Sequence, residues 1–362
     1  MIPNNPSETP SVPPPLPGSL LPANRNIREA GRSWLLAGAG GFLLVALFLS
    51  VAVNLVFLSG ELVDGEGHKH LHEGLEKVVV EPRVGKAHGY VAVIPIDGVI
   101  QSDEGGEIGQ SMLDDAKIAI RAARDDDQVV AVVLAMNSPG GEVTASDILH
   151  REVKDLTETK PVVVSMEAVG ASGAYYVACA ADYIMANDTT FTGSIGVIMH
   201  SINYEGLLGK VGLSPLVFKS GKFKDMLSGS RQATPEELAY VQGMVGQVYD
   251  KFLGIVAEAR GLPADGLRHG AADGRILTGR DAVELGLVDG IGYAEDAYEK
   301  ARDLANDLGA GVIRYRPETS LSSLFRQLGV RSEPKLELSL GGAARFVPRA
   351  GVAYYLPEIY GW

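Results

Sequence analysis

Val129-Val-Ala-Val-Val-Leu-Ala-Met136 runs directly into Asn137-Ser-Pro-Gly-Gly141. The first segment is apolar without a break and too short for a full helix. It reads as a parallel strand buried on both faces. The proline and glycines that follow end it in a tight turn. Residues 142–156 then have a helical pattern, and Pro161-Val-Val-Val-Ser165 is a second buried strand. Residues 173–181 read as a helix and Tyr183-Ile-Met185 as a short strand. Strand, helix, strand, helix at this spacing predicts an α/β fold, a parallel sheet with crossover helices. Upstream, Tyr90-Val-Ala-Val-Ile-Pro-Ile96 is a strand that ends in the turn Asp97-Gly98. Residues 109–124 have helical spacing, with Met112, Ile118 and Ile120 among small residues. Downstream, Thr234-Pro-Glu-Glu237 opens a long helix that runs to residue 260. Proline in the first turn and acids at the positive end of the dipole are its start signal.

A length of 362 residues suggests two domains at about 150 residues each. The chain is 46% hydrophobic and 21% charged, with a mean hydropathy of +0.09. That is too apolar for a disordered chain and slightly too apolar for an ordinary soluble one. The excess is concentrated in residues 33–60, 28 residues without a formal charge. About 20 apolar residues cross a bilayer core, so this run predicts a transmembrane helix. It is longer than the apolar part of a cleaved signal peptide and begins further from the start. Arg25, Arg28 and Arg32 precede it, and Glu61, Asp64 and Glu66 follow it. The positive side stays inside, which puts the N-terminus in the cytoplasm and everything after residue 60 outside.

The remaining organisation follows from these boundaries. Residues 1–32, with six prolines between Pro10 and Pro22, read as a disordered cytoplasmic tail. Residues 61–89 read as a juxtamembrane linker. It carries His68, His70 and His72, which read either as a solvated stretch or as a metal site. Residues 90–317 read as the outer folded domain and 318–362 as a C-terminal extension. The net charge of −13 divides into +1 for residues 1–32 and −14 for residues 61–362. An acidic outer domain argues against nucleic acid as a partner. A single cysteine, Cys179, excludes an intrachain disulfide framework and a zinc site of several cysteines. Cys179 reads as core packing.

Catalytic groups gather at the carboxyl ends of parallel strands. Two junctions qualify here, Ser138-Pro-Gly-Gly141 and Gly170-Ala-Ser-Gly173. Glycines at the first let the backbone approach a bound group and aim N–H donors at a developing oxyanion. The alternative is a tight turn and helix cap. At the second, Ser172 lies at a helix start, where orphan amides favour an anion. The alternative is an N-cap serine. A nucleophilic serine needs a base. His150 and His200 sit in no motif that would position them. Lysine serves as a base when desolvation lowers its pKa. The segment Phe218-Lys-Ser-Gly-Lys-Phe-Lys-Asp225 offers Lys219, Lys222 and Lys224, and spacing does not choose among them.

Five motifs in order resemble one family: Asn137-Ser-Pro-Gly-Gly141, Ala171-Ser-Gly-Ala-Tyr-Tyr176, Thr192-Gly-Ser-Ile-Gly-Val197, Lys219-Ser-Gly-Lys-Phe-Lys-Asp225, and Leu277-Thr-Gly-Arg-Asp-Ala-Val-Glu-Leu-Gly-Leu-Val-Asp289. The set resembles the signal peptide peptidase A (SppA) family, the membrane-anchored serine peptidases of family S49, over about residues 90–302. The resemblance implies an α/β fold of the crotonase or Clp-protease-like superhelical kind. It implies Ser172 as nucleophile, Lys224 as general base and Ser194 as the residue that holds the lysine. It assigns oxyanion-hole amides to Gly140 and Gly141, with Gly173 as a further candidate. Ala174 departs from the pattern, since many relatives have a second glycine there. With one copy of the domain, the chain resembles the half-length type. Such members are expected to form a homo-oligomeric, octamer-like dome in which neighbouring subunits supply Ser and Lys. The implied function is degradation of remnant signal peptides and other short apolar peptides at the outer face of the cytoplasmic membrane. No cofactor and no metal are implied, and lipid is met through residues 33–60. The alternatives are a stomatin-associated type of membrane serine peptidase, an acyl-CoA enzyme of the crotonase type, and a non-enzymatic membrane scaffold.

Overall fold

The computed structural model describes residues 75–102, 111–317 and 354–355, together with Leu47 and Ser50. The expected cytoplasmic tail, the apolar run 33–60 apart from those two residues, the histidine cluster and most of the C-terminal extension lie outside the described residues. Among the described residues no helix is long and apolar enough to cross a membrane. The chain divides into two units, residues 1–69 and 70–362, and the second carries the sheet.

In chain order the elements are β1 (Leu75–Glu81), β2 (Tyr90–Asp97), α1 (Met112–Asp125), β3 (Val129–Ser138), β4 (Gly141–Glu142), α2 (Val143–Thr157), β5 (Val162–Ala171) and α3 (Gly173–Ala178). They continue as β6 (Tyr183–Ala186), β7 (Phe191–Gly193), α4 (Glu205–Lys210), α5 (Pro235–Arg260), α6 (Ala264–Arg268), β8 (Ile276–Thr278), α7 (Gly279–Glu284), β9 (Gly290–Ile291), α8 (Ala294–Leu304), β10 (Gly311–Pro317) and β11 (Tyr354–Tyr355). The main sheet runs β1-β10-β2-β3-β5-β6-β9, with β7 pairing β5 and β8. Pairings from β10 through β2, β3, β5, β6 and β9 are parallel. Only the β1–β10 and β7–β8 pairs of this sheet are antiparallel.

The unbroken apolar run of β3 has a simple cause. Val132, Leu134 and Met136 point into one core with Ile120 of α1 and Leu149 and Val153 of α2. Ala131 and Val133 point into the other, with Ala297, Tyr298 and Ala301 of α8. A strand covered on both faces has no polar side to show. Helix α5 starts as its sequence predicts. Thr234 Oγ1 accepts the Glu237 amide at 3.2 Å and Glu237 Oε2 accepts the Thr234 amide at 2.8 Å, a reciprocal capping box. Gly261, at φ 63°, closes its C-terminus in the left-handed region.

Two boundaries differ from the sequence reading. The sheet takes in Leu75–Glu81, which falls within the expected linker 61–89, and pairs it antiparallel with β10. Val79 and Val80 are exposed there and charged residues flank them. Such an edge strand lacks the alternation that announces a half-buried one. The second boundary matters more. Strand β5 does not stop at Ser165 but runs to Ala171. Glu167 interrupts the apolar run because it is exposed, while the backbone continues in the sheet to the residue before Ser172.

Candidate active site

Three parallel strand ends meet at one place. In the register of β3 and β5, Ser138 lies opposite Gly170. In that of β5 and β7, Ala171 lies opposite Gly193. Ser172 and Ser194 are therefore the next residues on neighbouring strands, and the Pro139-Gly140-Gly141 turn leaves the third. The Ser172 amide donates to Gly193 O at 2.8 Å, and Thr192 Oγ1 donates to Gly170 O at 2.7 Å, which fastens β7 to β5.

Ser172 is 1% exposed and has φ 55° and ψ −116°. It makes no side-chain cap hydrogen bond to α3, so its hydroxyl does not serve as an N-cap. The Gly173 N–H, first in the helix, has no acceptor among the described residues. A serine in a sharp strand-to-helix turn with an unspent amide beside it suits a nucleophile and an oxyanion donor. Ser194 is also buried and also left-handed, at φ 49°, and its amide donates to Arg275 O at 2.8 Å. Positive φ in two neighbouring non-glycine residues is rare and clusters at functional sites.

The glycine turn divides its roles. Gly140 has φ 96°, accepts the Ile100 amide at 2.8 Å and donates its own N–H to Ser138 Oγ at 3.1 Å. Its amide is thus engaged within the turn. Gly141 is buried and forms a parallel bridge with Ile100. A Cβ there would lie 1.9 Å from Ile100 O, so no other residue fits. Strand β4 begins at this glycine and pairs antiparallel with β11, Tyr354 opposite Glu142 and Tyr355 opposite Gly141.

The structure separates the three lysines that spacing leaves open. Lys219 Nζ lies 2.6 Å from Asp225 Oδ1, and Lys222 Nζ lies 2.5 Å from Glu236 Oε1. Lys224 is exposed, its amide donates to Gly221 O at 3.1 Å, and its amine has no hydrogen-bond or carboxylate partner among the described residues. No hydrogen bond joins Lys224 to Ser172 among them. One chain therefore brings Ser172, Ser194 and the glycine turn together, and no hydrogen bond among the described residues links Lys224 to them.

A model described as peptidase family S49 matches residues 154–307, a stretch that contains Ser172, Ser194 and Lys224. A Methanocaldococcus jannaschii protein named "putative protease" is 43% identical over 216 residues, 59% of this chain and 69% of that protein. The chain belongs to peptidase family S49. An Enterococcus faecium relative named "putative signal peptide peptidase SppA" is 38% identical over 56% of this chain. "Serine protease SPPA, chloroplastic" of Arabidopsis thaliana is 37% identical over 58% of it. The aligned part spans 58% of the Enterococcus protein and 32% of the Arabidopsis one. Within S49 the chain is of the SppA type, a class of serine-type peptidases.

Other titratable groups of this S49 domain have structural partners. His150 packs edge-on against Tyr176 with ring centroids 5.1 Å apart, and burial lowers its pKa. The Tyr176 hydroxyl donates to Asp147 Oδ1 at 2.6 Å. Burial pushes the Cys179 thiol up to about 12, in keeping with an unreactive core residue. Sequence reasoning missed the residue that ties the lysine segment down. Arg231 donates to Asp225 at 3.0 and 2.7 Å and to Glu237 at 2.9 and 2.6 Å. The Thr234-Pro-Glu-Glu237 start signal marked one end of this network, and nothing in the sequence marked the arginine.

Proposed function

We propose that the chain is a membrane-tethered serine endopeptidase. It uses a Ser172–Lys224 dyad to degrade remnant signal peptides and other short apolar peptides at the outer face of the cytoplasmic membrane. The observation that carries this reading is the Ser172 turn: a buried, left-handed serine that caps nothing, beside the unspent Gly173 amide.

Neutral Lys224 takes the proton from Ser172 Oγ as that oxygen bonds to the scissile carbonyl carbon. Ser194 orients the amine. The Gly173 and Gly141 amides stabilise the oxyanion. The C–N bond then breaks, and the lysine ammonium gives its proton to the leaving amine. Neutral again, the Lys224 amine deprotonates a water that attacks the acyl carbon; the ester C–O bond breaks, and the lysine ammonium returns the proton to Ser172 Oγ. Because the base acts as a free amine, turnover is expected to rise with pH.

The mostly parallel sheet, with its site at the strand ends, supports the Clp-protease-like superhelix as the fold. Strand β4 supports an extended substrate, since the edge beside Gly141 already accepts a strand in β11. The uncharged run 33–60 supports the tether, which would hold the site against peptides left in the bilayer at high effective concentration. A buried serine and an exposed lysine within one chain support a homo-oligomer whose sites take Lys224 from a neighbouring subunit.

Full-length protein in detergent is tested on a synthetic signal peptide by mass spectrometry. Wild type is expected to cleave it, and Ser172→Ala and Lys224→Ala each to lose activity with an unchanged circular dichroism spectrum. Near-normal turnover by either variant would sink the dyad.

A further inference from the structure

Lys224 sits on an unusual support. From Ser201 to Lys222 nearly every residue is exposed, and α4 buries none of its own. Order has to reach Lys224 from elsewhere in the fold. The residues on both sides of it are tied to the start of α5. Lys222 pairs with Glu236 at 2.5 Å, and Phe223 stacks on Tyr240 with centroids 5.3 Å apart and planes at 28°. Asp225 is held most firmly. The Arg231 guanidinium grips its carboxylate through two nitrogens, and Lys219 adds a third contact at 2.6 Å. The other edge of the same guanidinium grips Glu237, which is 5% exposed and is locked into the capping box. Arg231 also donates to Gln232 O at 2.9 Å.

The geometry points to Arg231 as the positioning residue for the general base. Resting on the reading of Lys224 as that base, we infer that its guanidinium couples the backbone of Asp225, and through it Lys224, to the rigid first turn of α5. The planar fork matters because one group must hold two carboxylates at fixed angles. Lysine is a point charge and cannot bridge both in this way. Of the three lysines only Lys224 has an amine without a partner among the described residues, while its backbone is held through the Gly221 carbonyl and through Asp225.

The test compares Arg231→Gln, Arg231→Lys and Lys224→Ala in the full-length protein on the synthetic signal peptide. A displacement of about 1 Å away from the chemistry costs on the order of 10²-fold in rate. Arg231→Gln is therefore expected to lower kcat by roughly that factor, with KM within about twofold and a changed pH–rate profile. Arg231→Lys should recover only part of the loss. Thermal melting gives the folded fraction of each variant. A loss in Arg231→Gln no larger than its unfolded fraction overturns the positioning role. Wild-type kcat and pH profile in Arg231→Gln, with Lys224→Ala inactive, overturns it while leaving the dyad intact. Wild-type turnover in Lys224→Ala overturns the dyad and this inference together.

Discussion

Ser172 holds a backbone conformation that a residue with a Cβ adopts at a cost of about 1–3 kcal/mol. The surrounding sheet imposes it: the Ser172 amide is tied to Gly193 O and the Tyr176 amide to Ser172 O, so the chain turns with no room to relax. Strain at this point aims the hydroxyl out of the helix start and keeps it from capping. Glycine adopts such angles freely, though it is more flexible when unfolded. Ser172→Gly is thus expected to melt above Ser172→Ala by about 2–4 °C, roughly 1 kcal/mol for a folded domain of about 150–250 residues, both being inactive. Equal melting temperatures would mean the turn is relaxed. This scale is where the sequence says least. The motif Ala171-Ser-Gly173 fits a cap and a nucleophile alike, and no side-chain pattern encodes the φ of one serine. Gly141 was nominated for its amide, whereas the structure also shows a packing reason for it, the backbone of Ile100 lying where a Cβ would go.

Among the elements, β3, β5 and the start of α5 divide the work. The strands were legible because burial on both faces makes them continuously apolar. Their ends were not, because β5 carries the exposed Glu167 on its way to the site. Helix α5 was legible from the proline and acids of its first turn, yet its larger consequence is electrostatic. Hydrogen bonds from Arg231 hold the Glu237 carboxyl down to about 2, helped by the Thr234 amide. Arg231 and then Lys219 hold Asp225 well below the usual carboxylate range. Both folded-state values lie below the ordinary ones near 4, so the clamp contributes fully above about pH 4. Its contribution fades as pH falls through the folded values. Pepsin cleavage within residues 201–231 is accordingly expected to accelerate between about pH 4 and pH 2, with the rest of the domain resistant over most of that range. In Arg231→Gln the acceleration should begin at higher pH. A cleavage rate in this segment that tracks global unfolding would rule the local clamp out.

The molecule as a whole presents a contradiction that one chain does not resolve. Its proposed nucleophile, Ser172, is buried, and its proposed base, Lys224, is exposed on an arm that shows Ile202, Leu207, Val211, Leu213, Leu216 and Phe218 to solvent, Phe218 at 88%. So much apolar surface on one segment is of the kind that a partner covers. A cyclic assembly in which each arm reaches the next subunit would cover the apolar face and bring Lys224 to a neighbour's Ser172. The composition foreshadowed none of this, because exposed and buried leucines count alike in it. Complementation separates a shared site from a private one. Ser172→Ala retains Lys224, and Lys224→Ala retains Ser172. Co-expressed in equal amounts, they should recover about one quarter of wild-type turnover, the share of sites in a randomly mixed ring that take both intact groups from adjacent subunits. Each alone stays inactive, and mixing the two after assembly should recover activity only as fast as subunits exchange. Co-expressed variants that remain as inactive as either parent, in particles of wild-type size, would place both groups of each site on one chain.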